Sequence, residues 1–285
     1  MQLAMADINA AFTGSVPELY TRYIGPIFFE PYAAELVTRL KGTSSVRLLE
    51  TACGTGIVTR ALAAGLPDTV AITATDLNDP MLDFAKMQPG AERVQWQQAD
   101  AQDLPFPDQT LDIVVCQFGV MFFPDKEKAY REALRVLKPG GRFVFDVWDR
   151  VETIDLAFMV HETLTEMFPD DPPRFIERTA MGYHDVAKIR ADLARAGFME
   201  STVDTRRLPC HIPSAKHTAL GMIQGSPVGA EVTAQDPSGL DKAVDAVTQA
   251  ITERFGPGPI EATMQAHIVT AMRPGALRGA RIGPS

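Results

Sequence analysis

Apolar and polar positions divide the chain into a regular middle and less regular ends. Between residues 46 and 148, short apolar runs alternate with amphipathic stretches. Residues 46–50 predict a strand that ends in a Gly-rich turn, with a helix through about Ala64. Residues 70–76 predict a second strand, and Pro80 opens a helix to about Met87. Strands follow at 94–100 and 111–116, then a helix at 125–137, the turn Lys138-Pro139-Gly140-Gly141 and a fifth strand at 142–148. Strands alternating with helices build βαβ units around a parallel sheet. Upstream, residues 15–40 predict one or two helices rich in aromatics, broken into short pieces by Pro26 and Pro31. Downstream, helices are predicted at 154–167 and 185–196, the latter stopped by Gly197, with the Pro-rich stretch 169–173 as a loop. Residues 201–212 predict a strand, 214–255 helices around a loop near 227–239, and 260–272 a last strand. The tail 273–285, rich in Gly, Pro and Arg, is expected to be poorly ordered.

Composition narrows the class. The chain has 285 residues, 46% hydrophobic and 22% charged. That suits one α/β domain with an insertion and a buried core. A formal charge of −9 argues against nucleic acid, whose binding rests on neutralising phosphates with Lys and Arg. Cys53, Cys116 and Cys210 have neither disulfide-framework nor metal-ligand spacing, and no metal is expected. The first residues lack a basic region and an apolar run, so no signal peptide is expected. No window approaches the roughly 18 apolar residues of a spanning helix. The expected setting is the cytoplasm, without membrane insertion, as a monomer or homodimer.

The candidate chemistry centres on Glu50-Thr51-Ala52-Cys53-Gly54-Thr55-Gly56, between a strand and a helix. Glycines allow a sharp turn and close approach of a ligand, and the helix start offers free N–H groups. A dinucleotide fingerprint, G-x-G-x-x-G, does not fit. From Gly54 the third position is Thr59; from position 52 the first glycine is Ala52 and the third is Ile57. The plain alternative is an ordinary tight turn. Asp76, closing the second strand, suits the two hydroxyls of a ribose in any nucleotide cofactor. Its other role would be a helix N-cap, for which Asp79, directly before Pro80, competes better.

The acid followed by A-C-G-T-G resembles motif I of the class I S-adenosylmethionine-dependent methyltransferases, with Ala52 in place of the first glycine. The Ala99-Asp100-Ala101-Gln102-Asp103-Leu104-Pro105-Phe106 segment, the strand into Gln117-Phe118-Gly119, and Lys138-Pro139-Gly140-Gly141 are similar to further motifs of that family, in the same order. The ubiquinone and menaquinone biosynthesis methyltransferases are the most similar in pattern. The resemblance covers 46–148. It implies a Rossmann-like seven-stranded sheet, mostly parallel, with the antiparallel last strand inserted, and S-adenosyl-L-methionine as cofactor with S-adenosyl-L-homocysteine as product. It implies cofactor contacts at Tyr20, Glu50, Ala52, Gly54, Thr55, Gly56, Asp76, Leu77, Met81, Asp100, Ala101, Gln102, Gln117, Phe118 and Phe122. Residues 1–45 would cover the active site, 46–150 bind cofactor, and 151–272 supply substrate-side helices, a lid-like insertion near 213–259 and two strands.

No catalytic base is legible. His161, His211 and Tyr20 are the candidates, each equally readable as surface or packing. The Tyr-x-x-Tyr spacing puts Tyr20 and Tyr23 on one helical face. Cys53 reads as packing, since nothing nearby in sequence lowers its pKa. Aromatic and apolar residues outside the motifs (Tyr20, Tyr23, Phe158, Met159, Phe168, Phe175, Met181, Met222) suit a mostly apolar pocket for a small molecule. A protein that binds this cofactor without turnover, and a nicotinamide-dependent oxidoreductase, stand as alternatives.

Overall fold

The computed structural model describes residues 16–90, 92–256 and 259–275. The chain enters through a helical arm of α1 (Val16–Leu19), a π-helical stretch (Tyr20–Phe29) and α2 (Glu30–Leu40). The core follows as β1 (Arg47–Thr51), α3 (Ile57–Gly65), β2 (Ala71–Asp76), α4 (Asp79–Lys86), β3 (Gln95–Gln98), β4 (Leu111–Gln117), α5 (Lys126–Val136) and β5 (Leu137–Trp148). Then come α6 (Asp155–Met167), a second π stretch (Phe175–Ala180), α7 (Val186–Ala196) and β6 (Glu200–Ile212). Three helices, α8 (Ala215–Gln224), α9 (Val228–Gln235) and α10 (Leu240–Phe255), precede β7 (Ile260–Met272).

Seven strands form one sheet in the order β3-β2-β1-β4-β5-β7-β6. Strands β1 to β5 run parallel. The last strand, β7, is antiparallel to both β5 and β6 and lies between them. This is the expected Rossmann-like sheet with an inserted final strand. Its centre is apolar on both faces: Leu49, Val114, Val115, Val144 and Phe145 are fully buried. Continuous apolar runs of this kind suit parallel strands covered by helices on both sides. Among the described residues, no helix is long and apolar enough to cross a membrane.

Several local expectations are corrected. Pro26 does not break the helical arm. It sits inside the π stretch, and the N–H of Glu30 reaches back to the carbonyl of Gly25. The wider turn absorbs the proline, which lacks an N–H to donate. Pro31 lies in the first turn of α2, where its missing N–H has no partner to lose. The N-cap of α4 is Asn78, not Asp79; the Asn78 side chain accepts from Met81 N–H. The Lys138-Pro139-Gly140-Gly141 segment is a bulge in the first part of β5. Leu111 pairs with Leu137 and Ile113 with Arg142, so the intervening residues loop out of register. The loop expected across 227–239 contains helix α9. Arg273, placed at the start of the tail, is held: its N–H donates to Gly141 and its guanidinium to the carbonyls of Leu134, Arg135 and Leu137. Residues 276–285 of the expected tail, and 1–15 of the expected covering helices, lie outside the described residues.

Tyr32 ties the helical arm to the sheet. It is fully buried, and its hydroxyl is 2.8 Å from the carbonyl of Arg206 on β6 and 3.2 Å from that of Met264 on β7. Tyr32→Phe removes the donor and leaves buried carbonyl oxygen short of a partner. The expected cost is about 1–2 kcal/mol, or a melting temperature lower by ~2–8 °C. Thermal unfolding checks this; an unchanged midpoint overturns it.

Candidate active site

Strand order reverses direction at β1, which has β2 on one side and β4 on the other. The chain leaves the two sides in opposite directions, and a crevice opens beyond the carboxyl ends of the strands. A cleft occupies that position. Of the fifteen residues that the resemblance implies for a cofactor, thirteen line it: Tyr20, Glu50, Ala52, Thr55, Asp76, Leu77, Met81, Asp100, Ala101, Gln102, Gln117, Phe118 and Phe122.

Gly54 and Gly56 do not line the cleft; they shape its loop. Gly54 donates its N–H to Asp76 Oδ2 at 2.8 Å, and Gly56 donates to the carbonyl of Cys53. Both have positive φ, and a Cβ on Gly56 would press on Ala85 and Trp96. Asp76 uses its second oxygen to accept from Asn78 N–H at 2.8 Å. It therefore clasps the glycine loop to the start of α4, a task beyond its expected ribose role. Burial pushes its carboxyl above the usual carboxylate range, against the pull of those N–H groups.

Ala52 also has positive φ, at 52°. This left-handed backbone costs a non-glycine residue about 1–2 kcal/mol. Its methyl fits because the residue opposite is glycine: a Cβ on Gly119 would lie 2.7 Å from Ala52 Cβ and 2.6 Å from Cys116 Sγ. Gly119 also lines the cleft, as do Phe29, Cys53, Ile57, Val58, Asn78, Ala99, Phe123 and Pro124. Phe123 follows the fourth strand with Phe118 and Phe122 and was expected with them; the others were missed because they are neighbours of motif residues or, like Phe29, come from a helix remote in sequence. Cys53 is buried and its thiol is pushed well up by burial, which agrees with a packing role.

Phe118 stands at the mouth. It too has positive φ, and its N–H donates to Asp146 Oδ1 at 2.8 Å. Its ring lies parallel to Trp148, 3.7 Å away at 6°. Gln117 donates from its amide to the carbonyl of Phe29, joining β4 to the helical arm. Tyr20 stacks on Phe29 at 4.7 Å. Burial raises the Tyr20 hydroxyl pKa well above its usual value, so it stays neutral. Asp100 is engaged by the N–H and amide of Gln102, which set the turn of its loop.

Of the three candidate bases, Tyr20 lines the cleft and the two histidines do not. His211 is exposed on edge strand β6, 3.5 Å from Glu261. His161 sits on α6, and neither histidine lines the cleft or the chamber behind it. Tyr23 leaves the face of Tyr20, because the π stretch turns more widely than an α-helix; it stacks on His217 instead. Among the described residues, no group of three or more His, Cys, Asp and Glu could hold a metal ion.

The expected apolar pocket is a chamber that shares Tyr20, Phe29, Phe118 and Phe122 with the cleft. Phe175, Met181 and Met222 line it as anticipated, whereas Tyr23, Phe158, Met159 and Phe168 do not.

Two cleft groups lack what would complete them. Thr55 is 2% exposed, and its hydroxyl has no hydrogen-bond partner among the described residues. Glu50 is 1% exposed and accepts from Thr59 Oγ1 at 2.7 Å. Burial raises its pKa to about 8, partly offset by Thr59. The folded chain therefore keeps this proton between about 4.5, the ordinary value, and about 8, where the unfolded chain has lost it. Folding stability falls as pH climbs through that window, and the loss is complete above its upper end. Glu50→Gln removes the proton while leaving an acceptor for Thr59. The variant is expected to match the parent near pH 5 and to exceed it near pH 9 by more than about 1 kcal/mol, or ~2–4 °C. Parallel melting curves across pH would overturn the assignment.

Comparison with known proteins adds the family. Residues 49–145 match a methyltransferase domain model. The ubiquinone/menaquinone biosynthesis C-methyltransferase UbiE of Ectopseudomonas mendocina is 33% identical over 169 residues, 55% of this chain and 66% of that protein. Its counterpart in Enterobacter sp. is 40% identical over 163 residues, 53% of this chain and 65% of that protein. The chain thus spans just under two thirds of the length of these relatives. Among solved structures, the phosphoethanolamine N-methyltransferase 2 of Haemonchus contortus superposes with a TM-score of 0.61 at 17% identity, over 96% of this chain and 61% of that one. The [4+2]-cyclase SpnF superposes with a TM-score of 0.58 at 19% identity, over 95% and 97%. A fold shared by a methyltransferase and a cyclase names no family by itself. The matched residues say more: 49–145 of this chain form a methyltransferase domain, similar in sequence to those of the ubiquinone/menaquinone C-methyltransferases.

Proposed function

We propose that the chain transfers a methyl group from S-adenosylmethionine to an O, N or C atom of a small, mostly apolar molecule. The carrying observation is the adjacency of two spaces: a cleft at the glycine loop lined in part by Glu50, Asp76 and Asp100, and an apolar chamber that shares four aromatic wall residues with it. The relatives named as C-methyltransferases of ubiquinone and menaquinone biosynthesis support an apolar acceptor.

The cleft fits the cofactor. An amino-acid end brings a carboxylate, which suits the unpartnered Thr55 hydroxyl, and an ammonium, which suits a buried glutamate. A cation beside Glu50 lowers its pKa, so the carboxyl gives up its proton as it binds. Asp76 and Asp100 would take the ribose and adenine, with Leu77, Met81 and Ala101 against the base. Bound there, S-adenosylmethionine supplies a methyl group on a sulfonium, an electrophile that needs no activation by the protein. The chain contributes orientation. Holding the reacting groups in line is worth up to about 7–11 kcal/mol. The faces of Tyr20, Phe29, Phe118 and Phe122 favour positive charge at the junction of the two spaces. Residues 1–45 and 151–272 are proposed as the substrate-side parts around the 46–150 core, and the setting as cytoplasmic, with the chain a monomer or homodimer.

Calorimetric titration tests the cofactor. S-adenosylhomocysteine should bind at micromolar affinity and raise the melting temperature by mass action. Asp76→Ala should weaken binding more than tenfold, about 1.4 kcal/mol, and also lower stability, because it frees the Gly54 and Asn78 N–H groups. Heat with NADH and none with S-adenosylhomocysteine would refute the reading.

A further inference from the structure

The chamber has a size and a chemistry of its own. Its volume is about 120 Å³. A cavity of roughly 150 Å³ lined by aliphatic and aromatic side chains takes up one benzene molecule. The space is therefore that of a single ring. No charged side chain lines it among the described residues. Its hydroxyls belong to Tyr20 and Ser226, and Ser226 already donates to the carbonyl of Met222 at 2.6 Å. A carboxylate or ammonium placed there would lose its water without gaining a counter-charge.

The walls select for an aromatic guest. Trp148 meets Phe28 edge to face, with centroids 6.0 Å apart at 87°. Phe29 stands edge-on to both Phe118 and Trp148. Phe122 and Phe175 lie nearly parallel at 6.0 Å. Ring edges and faces exposed at such angles complement a further ring by their quadrupoles. Met181 and Met222 complete the wall, and both are buried. A thioether side chain fills irregular space and can be shortened with little disturbance of its neighbours.

We infer that this chamber holds the reacting head of the acceptor, that the head is one uncharged aromatic ring, and that Met181 and Met222 set the depth that excludes a fused second ring. The inference rests on the cleft being the cofactor site. Anisole, 2-methoxynaphthalene and benzoate are the probes, titrated calorimetrically into the full chain saturated with S-adenosylhomocysteine. Anisole should bind at least tenfold tighter than 2-methoxynaphthalene, and benzoate should give no heat. Met222→Ala and Met181→Ala, each verified as folded by circular dichroism, should shift the preference at least tenfold towards the bicycle. Equal binding of anisole and the bicycle, heat with benzoate, or an unchanged ratio in both variants overturns the inference. S-adenosylhomocysteine binding without anisole binding brings down the chamber alone. Absence of S-adenosylhomocysteine heat brings down the cofactor reading on which it rests.

Discussion

The carboxylate of Asp76 accepts one N–H from each side of the crevice, Gly54 in the glycine loop and Asn78 ahead of α4. Both strands bring their ends to the same place, but nothing in parallel pairing fixes the loops that follow. The two hydrogen bonds do so. With Gly54 held, the loop passes through left-handed backbone at Ala52, Gly54 and Gly56 and enters α3 with its first N–H groups free. Glu50 and Thr55 then face the cleft from either side of the turn. An acid at the end of β2 is thus a structural clasp, and the burial that raises its pKa follows from that position.

A second constraint joins the motif core to the parts outside it. Phe118 adopts a left-handed conformation that its side chain disfavours. Such strain persists only where the surroundings over-determine it. Here Asp146 accepts the Phe118 N–H, and Trp148 lies flat against the ring. Trp148 in turn meets Phe28, Phe29 and Tyr32 of the helical arm edge to face. One aromatic cluster therefore positions the arm, closes the cleft and builds the near wall of the chamber. The π stretch belongs to the same arrangement, since Tyr20 and Phe29 at its ends stack on each other across the mouth.

Ala52 shows how a departure from a motif is accommodated. The methyl group needs space that a glycine would not, and Gly119, on a different strand-to-helix connection, leaves it. Neither residue explains itself from local sequence. Read together in three dimensions, they describe one contact.

The alternation of apolar and polar runs determined the strands and the parallel sheet, because period and apolar continuity are local properties of a chain; the inserted antiparallel last strand came from the resemblance of the motifs to a known family. The cleft was legible through the motifs: Glu50, Ala52, Thr55, Asp76, Asp100 and Phe118 lie at or just beyond strand ends, and strand ends in an open parallel sheet converge on one crevice. Helix geometry was less legible. A proline predicts a break, and only the wider hydrogen-bond ring of Tyr20–Phe29 let the arm continue past Pro26 and turned Tyr23 away from the face of Tyr20. The fates of the histidines were illegible, because an imidazole on a strand or helix carries no local sign of which side it faces; His211 proved to lie on an exposed edge. Some wall residues of the chamber, such as Phe175, Met181 and Met222, were anticipated from their apolar character, but their convergence belonged to tertiary structure. The wall draws on the helical arm, β5, the second π stretch and α8, segments whose proximity comes from packing rather than from any pattern within one of them.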